Sequence, residues 1–206
     1  SSDLDEKNVH KKFESFDGVL VAPGFGGRGI EGKINAIKYV REQKIPFFGI
    51  CLGMQMAVIE YARNVLQLPS ANSVEMDEDT PNPVISLMDE QRKVANKGGT
   101  MRLGAWECAV RKNTLLHKIY NSDHIEERHR HRYEFNDAYY EQFEKHGMIA
   151  SGVNPETKLV EAVELLSHPW FVGVQYHPEY RSTVAQPHPL FVNFVNACNN
   201  YAQSKK

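Results

Sequence analysis

The stretch Ile45-Pro-Phe-Phe-Gly-Ile-Cys-Leu-Gly-Met-Gln-Met-Ala-Val-Ile-Glu60 decides the fold. It begins as a short apolar run, passes through Gly49-Ile50-Cys51-Leu52-Gly53, and continues with apolar residues at Met54, Ala57, Val58, Tyr61 and Val65. The first part reads as a buried strand and the second, by its spacing, as one face of a helix. A strand turning sharply into a helix crowds the backbone, and a glycine on each side of the apex removes a Cβ where the two approach. The pattern is a nucleophile elbow with Cys51 at its tip. There the free N–H groups and dipole of a helix N-terminus are expected to favour thiolate over thiol. The alternative for Cys51 is a small buried hydrophobe, the usual fate of a free cysteine.

Working outward, Gly18 to Ala22 is a second apolar run, followed by the glycine-rich loop Pro23 to Gly29. From Ile30 to Gln43 the residues Ile34, Ile37 and Val40 share a helical face. Strand, loop, helix, strand, elbow, helix implies right-handed crossovers between parallel strands. The fold class expected is therefore α/β, an open and mostly parallel sheet with helices on both faces. Residues 1 to 16 read as a lead-in segment and 17 to 206 as one domain. Asn64 to Gln91, with three prolines and an acidic run, loses periodicity and is expected to be an extended surface excursion. Beyond it, Leu115 to Tyr120 and Tyr139 to His146 read as helices, Leu159 to Leu165 and Trp170 to Tyr176 as strands. Pro189 to Tyr201 reads as a closing helix with Phe191, Phe194 and Val195 inward.

The chain of 206 residues carries a net charge of −2, so no global field recruits nucleic acid. Three cysteines, Cys51, Cys108 and Cys198, show no CxxC and no metal-ligand spacing, which fits a reducing compartment. No apolar run reaches the roughly 18 residues of a membrane span, and no signal peptide opens the chain. The expectation is a cytoplasmic protein with no metal, membrane or nucleic-acid partner. With no initiator methionine, the expectation is a fragment or a trimmed chain.

A cysteine nucleophile needs a base and a group to orient that base. His177 directly follows an apolar strand, and Glu179, two residues on, can fix its tautomer. The loop Gly24 to Gly29 matches G-x-G-x-x-G, and Gly27 to Lys33 matches G-x-x-x-x-G-K. Ile34 stands where a P-loop needs Ser or Thr, and no acid ends a following strand for a ribose, so an oxyanion hole built from the N–H groups of Gly24 and Leu52 is the better reading. In Arg128-His-Arg-His-Arg132 the two histidines share one strand face and the arginines alternate with them. One arginine suits capture of a carboxylate, while a solvated basic face is the alternative. Gln55, one turn into the helix, faces the same pocket mouth as Cys51.

Gly49-Ile-Cys-Leu-Gly-Met-Gln55 with Gln175-Tyr-His-Pro-Glu179 resembles the triad of class I glutamine amidotransferases. Gly29-x-Glu-Gly-Lys33, Ala71-Asn-Ser-x-Glu75, Gly98-Gly-Thr-Met-Arg-Leu-Gly104 and Glu127-Arg-His-Arg-His-Arg-Tyr-Glu134 are similar to the glutaminase domains of the CTP synthase family. The resemblance implies Cys51 as nucleophile, His177 as general base and acid, and Glu179 as the orienting carboxylate. It implies Gly24, Leu52, Gly53, Met54, Gln55, Glu75 and Arg132 as the glutamine site, Glu75 taking the α-ammonium and Arg132 the α-carboxylate. It makes the stretch around Arg102 a mobile lid tied to GTP activation. Where the family commonly has Pro-Gly-Gly-Phe-Gly, this chain has Ala22-Pro-Gly-Phe-Gly26, and Gly24 still aligns with the oxyanion glycine. The implied function is hydrolysis of L-glutamine, with no cofactor in this domain. A preceding amidoligase domain, absent here, would bind ATP, Mg²⁺ and UTP, and the full-length enzyme would be a homotetramer. The domain's own first strand and helix are also missing against the family pattern, and a monomer or weak dimer is expected of this chain. Another class I glutaminase, a γ-glutamyl hydrolase and an inactive regulatory fragment are the alternatives.

Overall fold

The computed structural model describes residues 4–5, 7–87 and 101–205. In chain order the elements are α1 (Val9–Phe13), β1 (Val19–Val21), α2 (Ile30–Glu42), β2 (Phe47–Ile50), α3 (Leu52–Asn64), β3 (Ala71–Ser73) and β4 (Asn82–Leu87). After them come β5 (Arg102–Val110), α4 (Leu115–Tyr120), β6 (His124–His131), β7 (Tyr133–Phe135), α5 (Tyr140–His146), β8 (Met148–Val153), β9 (Val160–Leu165), β10 (Phe171–Val174) and α6 (Pro189–Ser204).

Seven strands form one sheet in the order β1-β2-β10-β9-β8-β5-β6. β1 and β10 flank β2 in parallel, and every later neighbour is antiparallel. The directions alternate outward from β10, so β1, β2, β10, β8 and β6 point one way while β9 and β5 oppose them. The sheet is thus mostly parallel in strand direction, with its parallel ladders gathered on the side that carries the elbow. The antiparallel half needs no long crossovers, which is why its strands follow one another at short intervals.

Helices cover both faces, and the period of two along β2 sets which residue meets which. Phe47 joins Ile34, Ile37, Met54 and Phe171 under α2 and α3, whereas Phe48 joins Leu116, Val172, Leu190 and Phe194 under α4 and α6. Helix α3 is buried along its whole run from Leu52 to Ala62. It lies between the large sheet and a second, three-stranded sheet in the order β3-β4-β7. Glu60 on α3 is fully buried and takes two nitrogens of Arg41 at 2.8–3.1 Å, a bidentate pair that satisfies its charge.

Two expectations change. Asn64 to Gln91 is not an unpaired excursion: within it β3 pairs in parallel with β4, and β4 pairs with β7, while residues 88–91 lie outside the described ones. In α6 Phe191 and Phe194 pack inward as expected, with Leu190, whereas Val195 is 55% exposed, because the inward stripe continues through Ala197 and Cys198 rather than through 195.

Candidate active site

The elbow stands as a strained turn. Cys51 has φ 50° and ψ −103°, a left-handed conformation uncommon for a residue with a side chain, and strain of this kind costs on the order of 1–3 kcal/mol. Its N–H donates to the Val174 carbonyl at 2.7 Å, which carries the β2–β10 ladder one step past both strands. Its own carbonyl accepts the Gln55 N–H at 3.2 Å and starts α3. A Cβ on Gly49 would sit 2.6 Å from the Gly53 carbonyl carbon, and one on Gly53 would overlap the Val21 carbonyl oxygen. Both glycines are required for strand and helix to approach.

The sulfur is 3% exposed, and burial pushes the Cys51 thiol up to about 12. Glu179 and Glu75 add to the rise; the Leu52 N–H and the Gln175 side-chain amide oppose it. The thiolate expected from the helix N-terminus is therefore overturned for the resting site, because loss of water outweighs the dipole. Burial thus favours the thiol over the thiolate at neutral pH.

A histidine stands just past the end of the neighbouring strand, β10. Gln175 follows β10 in register with Cys51 and donates its side-chain amide to the sulfur at 3.6 Å. Two residues later the backbone N–H of His177 donates to Arg128 O on β6 at 2.8 Å, which fixes where the chain turns. The imidazole is 3% exposed, stacks on Tyr180 with centroids 4.7 Å apart, and meets Glu179 Oε1 through Nδ1 at 2.6 Å. A carboxylate at Nδ1 selects the tautomer with the proton there, so Nε2 keeps its lone pair. Nε2 is buried and has no hydrogen-bond partner among the described residues. The Glu179 carboxylate comes from the short turn Pro178–Arg181, one residue past Pro178.

A cavity of about 310 Å³ opens beside the sulfur. Of the expected residues, Gly24, Cys51, Gln55, Glu75 and Arg132 line it. Glu75 accepts the Gly26 N–H at 3.2 Å and so draws the glycine loop over the elbow. Gln55 donates to Tyr133 O at 2.9 Å and to Gln175 Oε1 at 3.2 Å, which couples the cavity wall to the residue that touches the sulfur. His177 and Glu179 do not line the cavity; they stand at the adjacent strand end. Leu52 and Met54 are buried, and Met54 packs against Gly173 of β10. Gly53 lies against Val21. Phe25, Met101 and Tyr133 also line the cavity and were not singled out from the sequence; the signal available was their adjacency to Gly24, Arg102 and Arg132. Arg102 is buried in strand β5 between Glu134 and Glu161, and residues 98–100 of the expected lid lie outside the described ones.

A buried cysteine elbow follows β2 and a carboxylate-held histidine follows the neighbouring β10; the family described as Glutamine amidotransferase class-I matches residues 2–197, and the chain belongs to it. Within that family its similarity is to CTP synthases. It is 64% identical over 200 residues to the CTP synthase of Flavobacterium johnsoniae, covering 97% of this chain and 37% of that protein. To the CTP synthase of Christiangramia forsetii it is 62% identical over 203 residues, 98% of this chain and 37% of that protein. The chain thus spans little more than a third of these curated relatives. Among solved structures, the glutaminase domain of the Trypanosoma brucei enzyme with bound acivicin superposes with a TM-score of 0.89 at 40% identity, covering 96% of this chain and 79% of that one. Among the described residues, no helix is long and apolar enough to cross a membrane.

Proposed function

We propose that this chain hydrolyses L-glutamine to glutamate and ammonia by acyl transfer through Cys51, His177 and Glu179. The observation that supports the reading is the parallel pairing of β2 with β10: Cys51 directly follows one strand and His177, its Nδ1 held by Glu179, comes three residues after the other. As Cys51 Sγ bonds to the side-chain amide carbon, its proton passes to His177 Nε2. The N–H groups of Gly24 and Leu52 hold the oxygen that gains the electron pair. Losing one such donor costs roughly 10²- to 10³-fold in rate. The C–N bond breaks as His177 returns the proton to the departing ammonia, and His177 then takes a proton from water, which displaces Cys51 as thiol and frees glutamate. Glu179 holds the imidazole and stabilises its cation. Glu75 and Arg132, which both line the cavity, take the α-ammonium and α-carboxylate of the substrate.

In the longer protein the ammonia aminates UTP to CTP on a preceding amidoligase domain that uses ATP and Mg²⁺, with GTP as activator, in a cytoplasmic homotetramer. The lengths of the CTP synthase relatives and their identity to this chain support that assignment. The test is acivicin, which the similar Trypanosoma brucei domain holds. Incubation of this chain should add one inhibitor-derived group to Cys51 by mass, and Cys51→Ala should prevent it. A chain that neither takes up the group nor releases ammonia from glutamine is not a glutaminase.

A further inference from the structure

Five buried side chains, of which His131 lines the cavity, close a ring. Glu161 on β9 sets Oε1 2.7 Å from Arg102 Nη2 and Oε2 3.2 Å from His129 Nε2. His129 Nδ1 lies 2.8 Å from His131 Nε2. His131 Nδ1 lies 3.7 Å from Glu134 Oε1, and Glu134 Oε2 lies 3.6 Å from Arg102 Nη1, which returns to the start. All five side chains are 0–3% exposed. The imidazole–imidazole link alone has hydrogen-bond alignment; the others are contacts at ion-pair range, so charge holds the ring closed. The ring joins the large sheet to β7 of the small one. Its members His131 and Glu134 bracket Arg132 and Tyr133, two residues that line the cavity.

We propose that Arg102, His129, His131, Glu134 and Glu161 are positioning residues for the cavity, sharing three protons and one negative charge held on Glu161, so that Arg132 and Tyr133 are fixed against the substrate. The count follows from the contacts. Two carboxyls and two neutral imidazoles in a row leave three gaps, and each gap takes one proton. The protons can occupy two registers, one leaving the charge on Glu161 and the other leaving it on Glu134. Arg102 decides between them because it stands 2.7 Å from Glu161 and 3.6 Å from Glu134. In that register His129 Nε2–H donates toward Glu161, His131 Nε2–H donates to His129 Nδ1, and the Glu134 hydroxyl points at His131 Nδ1. Burial raises both carboxyls, Glu134 to about 8 and Glu161 to about 7, so Glu134 is the one that keeps its proton more firmly, and it drives both imidazoles toward their neutral forms.

The inference rests on the glutaminase reading for its kinetic arm alone. Two-bond ¹H–¹⁵N spectra of histidine-labelled chain should show both His129 and His131 as neutral Nε2–H tautomers. Glu134→Gln keeps a donor toward His131 and should raise KM for glutamine by no more than about threefold, whereas Glu134→Ala and Glu161→Gln should each raise it about tenfold or more with a smaller change in kcat. Nδ1–H tautomers, or a Glu134→Gln as damaging as Glu134→Ala, overturn the proposal. If Glu161→Gln does not fold, the tautomers and the two Glu134 variants decide. If the unaltered chain hydrolyses no glutamine, the functional reading fails while the spectra still judge the ring.

Discussion

Gln175 donates its side-chain amide to the sulfur of Cys51 across 3.6 Å, one of two neutral donors that work against the burial of that thiol. With the thiol near 12, the thiolate fraction gains about tenfold for each pH unit through the neutral and mildly alkaline range. Alkylation of Cys51 by iodoacetamide should rise with pH accordingly and show no plateau below pH about 9. Gln175→Leu removes a donor to the thiolate and should slow the reaction at every pH, as followed by mass.

Arg132→Ala should raise KM for glutamine more than it lowers kcat, since the exposed guanidinium meets a part of the substrate that does not react. Steady-state ammonia release checks this, and an unchanged KM removes Arg132 from the substrate site.

Glu179→Gln should do the reverse. Nδ1 of His177 loses its anionic partner, the tautomer is no longer selected, and kcat should drop by about 10²- to 10⁴-fold at similar KM. A variant retaining more than a tenth of the rate would show that the imidazole is oriented by something else.

Gly53→Ala should destabilise the fold by about 3 kcal/mol or more, because the new methyl overlaps the Val21 carbonyl oxygen and neither backbone can retreat without breaking β1 from β2. Gly27→Ala, whose Cβ meets nothing within 4 Å, is the control. Urea midpoints measure the difference.

His131 supplies a pH signature. Burial lowers it to about 3, so below about 6.5 the unfolded chain gains a proton there that the folded chain refuses, and stability is lost as pH falls from 6.5 toward 3. Glu134, raised to about 8, acts in the opposite sense: its contribution is present below about 4.5 and lost as pH rises toward 8. His131→Gln should therefore lose less stability than the unaltered chain between pH 6.5 and 4.5 in urea titrations.

The elbow was legible because its determinants are local: two glycines, a β-branched and aromatic run before them, a helical stripe after. The alternation in Arg128 to Arg132 was legible for the same reason, and it does bury His129 and His131 while exposing the arginines. What the two histidines face was not, since Arg102 and Glu161 reach them from β5 and β9 through sheet pairing that no spacing encodes. β3 and β4 escaped because strands of three and six residues, one containing Pro83, are specified by their partners rather than by a pattern of their own. The state of Cys51 was misjudged because the helix N-terminus is a sequence feature, and its burial at 3% exposure is a property of the packed whole.

The covered sulfur also bears on oxidative damage. Peroxide attacks thiolates, and a protonated sulfur at the wall of the cavity offers it room but no charge. An idle molecule is thereby slow to form sulfenic acid, and its vulnerability grows only when the thiol gives up its proton.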